Sequence, residues 1–298
     1  MGYLFLALAN LAGVTKGYCG KMVSSSVKKT ADAMLANLLR MLLCIFIGFG
    51  VVVFVDGFIG FNISLPSLLI SFLSGISNAI FVISWLFAVT RGAYMLVDVF
   101  LTIGLAVPIA LCSIFFDEKI RYNHIIGFAV LIAAVLLMCS YNNSVKTKLT
   151  VRSLLLLLLC GLSSGLASFS QKWFVYESDG ASISAFNFYT YVFAAAVLFF
   201  SFFILKSGKK EEGAVEKFTL RPVWHYIVIM AVMLFSNSFF MTLAATKLDA
   251  VLLYPLSNGL ALLLSTVMCA VFFKEKPNFK SILGIVLAFV AIMLINLL

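Results

Sequence analysis

Charge is what this sequence most lacks. Asp, Glu, Lys and Arg make up 11% of its 298 residues, whereas 63% are apolar. A water-soluble domain of this length cannot hide so much apolar surface, so lipid is the solvent. The fold class is an all-α polytopic membrane protein, because helices satisfy their own backbone polar groups within a bilayer. Histidine is nearly missing too. His124 and His225 lie at the ends of apolar stretches with no acidic or serine partner, which leaves no general-base constellation. All six cysteines fall inside apolar stretches, with no CxxC pair and no Cys/His cluster. Neither a disulfide framework nor a metal centre is indicated, so no cofactor and no enzymatic activity are expected.

What is present is a series of apolar runs. Ten are long enough to span a bilayer: 3–24, 32–55, 66–90, 93–116, 121–140, 151–175, 182–206, 222–247, 249–273 and 278–298. The first has no positively charged segment before it and its lysines come late, unlike a cleaved signal peptide. Connections are short except 206–222, "KSGKKEEGAVEKFTLRP", a charged and solvated connector. The formal net charge of +9 is no nucleic-acid signal, because the cations sit in loops. Loops after the odd-numbered runs carry fourteen Lys and Arg, against three on the opposite side. The positive-inside rule then puts the lysine-rich loops in the cytoplasm and both termini outside, and the expected location is the cytoplasmic membrane.

The chain repeats itself. "FFDEKIRYNHIIGFAVLIAAVLLM" (115–138) matches "FFKEKPNFKSILGIVLAFVAIMLI" (272–295), with Phe115, Phe116, Glu118, Lys119 and Gly127 falling on Phe272, Phe273, Glu275, Lys276 and Gly284. Near the two starts, Lys21 falls on Lys172, and farther along Arg40 falls on Thr190. This predicts two five-helix repeats, 1–145 and 146–298. An odd number of spans forces the second to enter the membrane upside down, the inverted-repeat plan of secondary transporters.

Ten spans in two halves, with "FFDEK" and "FFKEK" each opening a final span, resemble the drug/metabolite transporter superfamily, EamA type. The segment 250–298 is also similar to the end of the small multidrug resistance proteins. That resemblance implies a membrane glutamate eight residues before a lysine in the first span, yet registering the lysine on Lys21 or Lys172 puts Gly13 or Ser164 there. The site tyrosine of that group corresponds to Tyr254, while Ser257 replaces its tryptophan. Antiport of protons against cationic drugs is therefore not implied.

Lys16, Arg40 and Asp98 are the ionisable residues well inside the runs. They lie at similar depths from the lysine-rich side, about 12, 13 and 8–9 Å respectively at 1.5 Å per residue. Each costs at least ~2.5–3.5 kcal/mol at a helix centre, so free exposure to lipid is disfavoured. Three readings are open: a substrate or coupling site, a buried ion pair of Asp98 with Lys16 or Arg40, and snorkelling. Snorkelling accounts for Lys21 and Lys172. It suits Lys16 less well, since helical side chains lean toward the N-terminus, away from the nearer face.

Uncharged polar groups complete the candidate binding set: Asn78, Trp85, Asn187, Tyr189, Asn237, Tyr254 and Asn258. Gly13 with Gly17, and Gly161 with Gly165, are spaced for close helix packing. Pro108 and Pro255 are placed to kink their helices. The expectation is a secondary transporter for a small polar metabolite, zwitterionic or carboxylate-bearing like an amino acid. Lys16 and Arg40 would hold the carboxylate, and Asp98 would take an ammonium or a coupling proton. Carriage of sugars, nucleosides or phosphorylated metabolites is the alternative within transport, and a non-transporting scaffold the alternative outside it. The expected partners are a small molecule and the lipid bilayer. A homodimer is compatible with the sequence.

Overall fold

Long apolar runs with few helix breakers leave the backbone one economical arrangement in lipid, the α-helix. The computed structural model describes residues 1–26, 30–90, 94–139, 151–177, 180–208, 223–272 and 279–296. It places helix along every apolar run. In chain order these are α1 (Gly2–Ser26), α2 (Thr30–Val55), α3 (Leu65–Thr90), α4 (Tyr94–Gly104), α5 (Ala106–Phe116) and α6 (Tyr122–Cys139). There follow α7 (Val151–Glu177), α8 (Ile183–Gly208), α9 (Trp224–Ala245), α10 (Ala250–Phe272) and α11 (Phe279–Asn296). Six stretches among the described residues are long and apolar enough to cross a membrane, and three shorter apolar helices accompany them. The protein is an all-helical, multi-pass membrane protein. The junction at 145/146 and most of the 206–222 connector lie outside the described residues.

The fourth run holds two helices, and Pro108 supplies the reason. Proline has no N–H to return to the Gly104 carbonyl, so α4 ends there, and Leu105 closes a tighter turn by donating to Thr102 O at 3.2 Å. Pro255 interrupts nothing, since α10 runs through it.

Packing is by pairs. α1 lies on α9, α3 on α7, α2 on α8 and α6 on α11, while α4 and α5 lean on α7 and α10 leans on α1. Glycines set the closest approach. A β-carbon at Gly161 would strike the Phe100 carbonyl, and one at Gly165 the Gly104 carbonyl, so the α4–α7 contact tolerates no side chain there. Gly13 makes room for the Asn237 amide, 3.2 Å from where its β-carbon would sit. Gly17 does not follow the expected packing role: nothing lies within 4 Å of that position, which faces open space. Large apolar side chains such as Phe46, Phe54, Phe200 and Phe289 stay exposed, as lipid allows.

On the face opposite the lysine-rich loops the connections are short and bonded. After α2 the chain makes a short 3-10 turn (Phe58–Phe61), whose Phe61 carbonyl accepts from Tyr189 OH at 3.0 Å. Ser182 Oγ, just before α8, donates to Asp56 at 2.5 Å and accepts the Ala185 N–H at 3.1 Å.

Candidate functional site

Lys16 on α1 and Arg40 on α2 come together inside the bundle, within electrostatic reach of each other. Cys44, one helical turn beyond Arg40, lies close to both cations, and Tyr191 of α8 lies close to Arg40. Cys44 and Tyr191 are buried in the main apolar cluster, with Ala231 and Phe235 of α9. Cys44 Sγ donates to Ala231 O at 3.4 Å, and Tyr191 OH to Leu234 O at 3.2 Å. Two positive groups thus share a site walled by α1, α2, α8 and α9. Among the described residues no carboxylate pairs with either cation. Arg40 Nε is buried and donates to nothing in the protein. Such a donor is rare, because a buried unsatisfied N–H costs about 1–3 kcal/mol. Thr190 Oγ1, at the position that Arg40 matches in the repeat, is also buried and unsatisfied.

The other candidates scatter into two kinds. Asn78 donates to Ser74 O on its own helix at 2.9 Å, and Trp85 packs between the main cluster and the smaller one around Val97, Leu157 and Cys160. Tyr189 holds the 3-10 turn after α2 through its hydroxyl. Asn187 accepts from Ser238 Oγ at 2.5 Å, and Ser238 accepts from Gln171 at 3.2 Å, a relay across α8, α9 and α7. The remaining three reach between helices: Asn237 to Ala9 O at 2.7 Å, Asn258 to Thr102 Oγ1 at 2.8 Å, and the Tyr254 hydroxyl to the Ser168 carbonyl. Asp98 belongs to α4 between buried Val97 and Val99, but its side chain lies outside the described residues.

A family model for EamA-like transporters matches residues 151–297, the second half of the chain. The chain belongs to the EamA-like transporter family. It is therefore a membrane transporter of the drug/metabolite type. A solved crystal structure, known only as that of a protein, is similar over 99% of this chain and 96% of its own, with a TM-score of 0.78 at 13% identity. That likeness is one of fold. No curated protein matches the sequence.

The EamA-type framework carries one further polar centre that sequence reasoning missed. Lys172 does not snorkel: it is 3% exposed, and Nζ lies 3.3 Å from Glu118 Oε1. The same ammonium donates to Ala245 O at 3.0 Å and Leu248 O at 2.6 Å, at the C-terminal end of α9. Glu118 accepts the Ala250 N–H, opening α10, at 2.6 Å, and the Tyr176 hydroxyl at 3.1 Å. A cation on helix-end carbonyls and an anion on a helix-start N–H both agree with the helix dipoles. The available signal was the repeat itself, since Lys172 matches Lys21 and Glu118 matches Glu275. The side chain of Lys21, and Glu275, lie outside the described residues.

Proposed function

We propose that this EamA-family transporter carries a small carboxylate-bearing or zwitterionic solute, amino-acid-like in chemistry, by alternating access. The observation that carries this reading is the Lys16–Arg40 pair, two cations within electrostatic reach of each other, with one buried guanidinium N–H undonated. A carboxylate between them would accept charge-assisted hydrogen bonds from both and relieve their repulsion. Asp98 would receive the solute ammonium or carry a coupling proton. The protein acts as a carrier and not as a catalyst, in the cytoplasmic membrane with both termini outside.

Alternating access follows from the two inverted repeats, 1–145 and 146–298. Exchanging the halves turns the α1–α9 pair into the α3–α7 pair and the α2–α9 contact into α3–α8, and leaves α2–α8 and α6–α11 as they are. Such an exchange is what a carrier needs to present one central site to either side in turn.

A thermal-shift screen of amino acids, sugars and organophosphates tests the substrate class. A ligand at a hundred times its Kd stabilises by about 2.7 kcal/mol. The reading expects amino acids to raise Tm in the wild type and not in Lys16→Met. Stabilisation by uncharged sugars alone would sink it. A phosphorylated metabolite is the second reading, favoured by the lack of a carboxylate partner for the two cations among the described residues, and stabilisation by organophosphates alone would select it.

A further inference from the structure

Two groups of helices meet at Lys172. α7 is locked to α4 through Gly161 and Gly165, and farther along it buries Leu157 and Cys160 against Val97 of α4 and Trp85 of α3. α9 and α10 are packed on α1 instead. Hydrogen bonds join α7 to α9 and α10 at Ser168, Gln171 and Lys172, a stretch of about 6 Å along the helix axis. Glu118 adds the cross-link. It stands on the turn after α5, yet it binds Lys172 of one group and the first N–H of α10 in the other.

We infer that the Glu118–Lys172 pair is the latch of a gate on the face opposite the lysine-rich loops, closed when the pair is formed and open when it is broken. Four features fit a latch better than a permanent rivet. A cleft of about 570 Å³, open to its surroundings and lined by Ser113, Asp117, Glu118, Lys119, Ile120 and Arg121, reaches the Glu118 side of the pair. The groups that Lys172 and Glu118 bind are the ends of α9 and α10, so parting them breaks no bond inside a helix. The energy balance is also close to even, because desolvation of a buried ion pair offsets most of its attraction, and water entering from the cleft tips that balance. Asp117, next to Glu118, holds a left-handed backbone at φ 53, which aspartate tolerates better than most residues and which can relax as the turn moves.

The inference rests on the transporter reading, but its test needs no substrate. Cys112 lies beneath the pair, fully buried with Phe169, Leu248 and Tyr254, and close enough to feel both charges. In a protein keeping Cys112 as its single cysteine, labelling by a membrane-impermeant maleimide is timed in sealed vesicles with the reagent on either side. Glu118→Gln leaves Lys172 uncompensated when the gate is closed, so labelling from the Glu118 face should quicken on the order of tenfold, with no change from the other face. Tyr176→Phe removes one donor to Glu118 and leaves the pair, and should quicken it roughly twofold. Unchanged labelling in a folded Glu118→Gln, or an equal rise from both faces, overturns the latch. If Glu118→Gln does not fold, the absence of any rise in Tyr176→Phe overturns it instead. Solute flux with ungated labelling rejects the latch alone, while gated labelling without flux of any solute rejects the transporter reading and leaves the latch in place.

Discussion

Lys172 of α7 donates to the carbonyls of Ala245 and Leu248, while its partner Glu118 accepts the N–H of Ala250, so one ion pair staples both ends of the turn between α9 and α10. Removing one partner strands the other charge in a buried site, whereas removing both leaves a neutral one. Lys172→Met and Glu118→Gln should each lower Tm, and the double variant should recover part of the loss, with a coupling energy of about 1–3 kcal/mol. Denaturation of the four proteins in one detergent measures it, and strictly additive losses would contradict the pairing.

Much of the fold was legible because hydropathy is a strong signal in a membrane chain. The run expected at 32–55 is helix Thr30–Val55, and that expected at 66–90 is Leu65–Thr90. Pro108 marked the disturbance in the fourth run, although a kink and a full break look alike in sequence. The buried pair was not legible. Hydropathy shows how deep Lys172 lies along its own helix, but not that Glu118, 54 positions earlier in the chain, is delivered beside it by the turn after α5. For Lys16 and Arg40 an expected depth along each helix is readable in the sequence, whereas whether the two come within reach of each other depends on helix rotation, which weak amphipathicity in lipid leaves undetermined.

Lys16 and Arg40 repel each other, so binding and stability should part company. Without solute, Lys16→Met should be as stable as the wild type or more so, because one of two like charges is gone. With solute, the loss of a charge-assisted hydrogen bond worth about 1.5–3 kcal/mol should weaken binding by roughly ten- to a hundredfold. Arg40→Gln should behave in the same way. Titration calorimetry beside melting curves checks both halves, and a variant that is unstable yet binds normally would contradict the assignment.

Two glycines on α7 and α1 should respond oppositely to one added methyl. Gly161→Ala drives a β-carbon into the Phe100 backbone, which cannot swing aside, and should cost about 1–3 kcal/mol. Gly17→Ala meets open space in mid-helix and should stabilise by about 0.5–1 kcal/mol. Melting temperatures of the two variants decide it, and equal losses would contradict the packing described.

The orientation is testable without function. With the lysine-rich loops in the cytoplasm, a cysteine at Asn62, exposed just past the 3-10 turn, should react with an impermeant maleimide added to intact cells. An epitope at the N-terminus should be accessible from the same side. Reactivity only after permeabilisation would reverse the topology.

The most direct test of the central claim is solute flux into proteoliposomes, comparing the wild type with Lys16→Met and Arg40→Gln. The account predicts uptake of a carboxylate-bearing, amino-acid-like solute by the wild type and a loss of at least about tenfold in either variant at concentrations below saturation. Uptake of that solute unchanged by both substitutions, or no uptake of any such solute by the wild type, would contradict it.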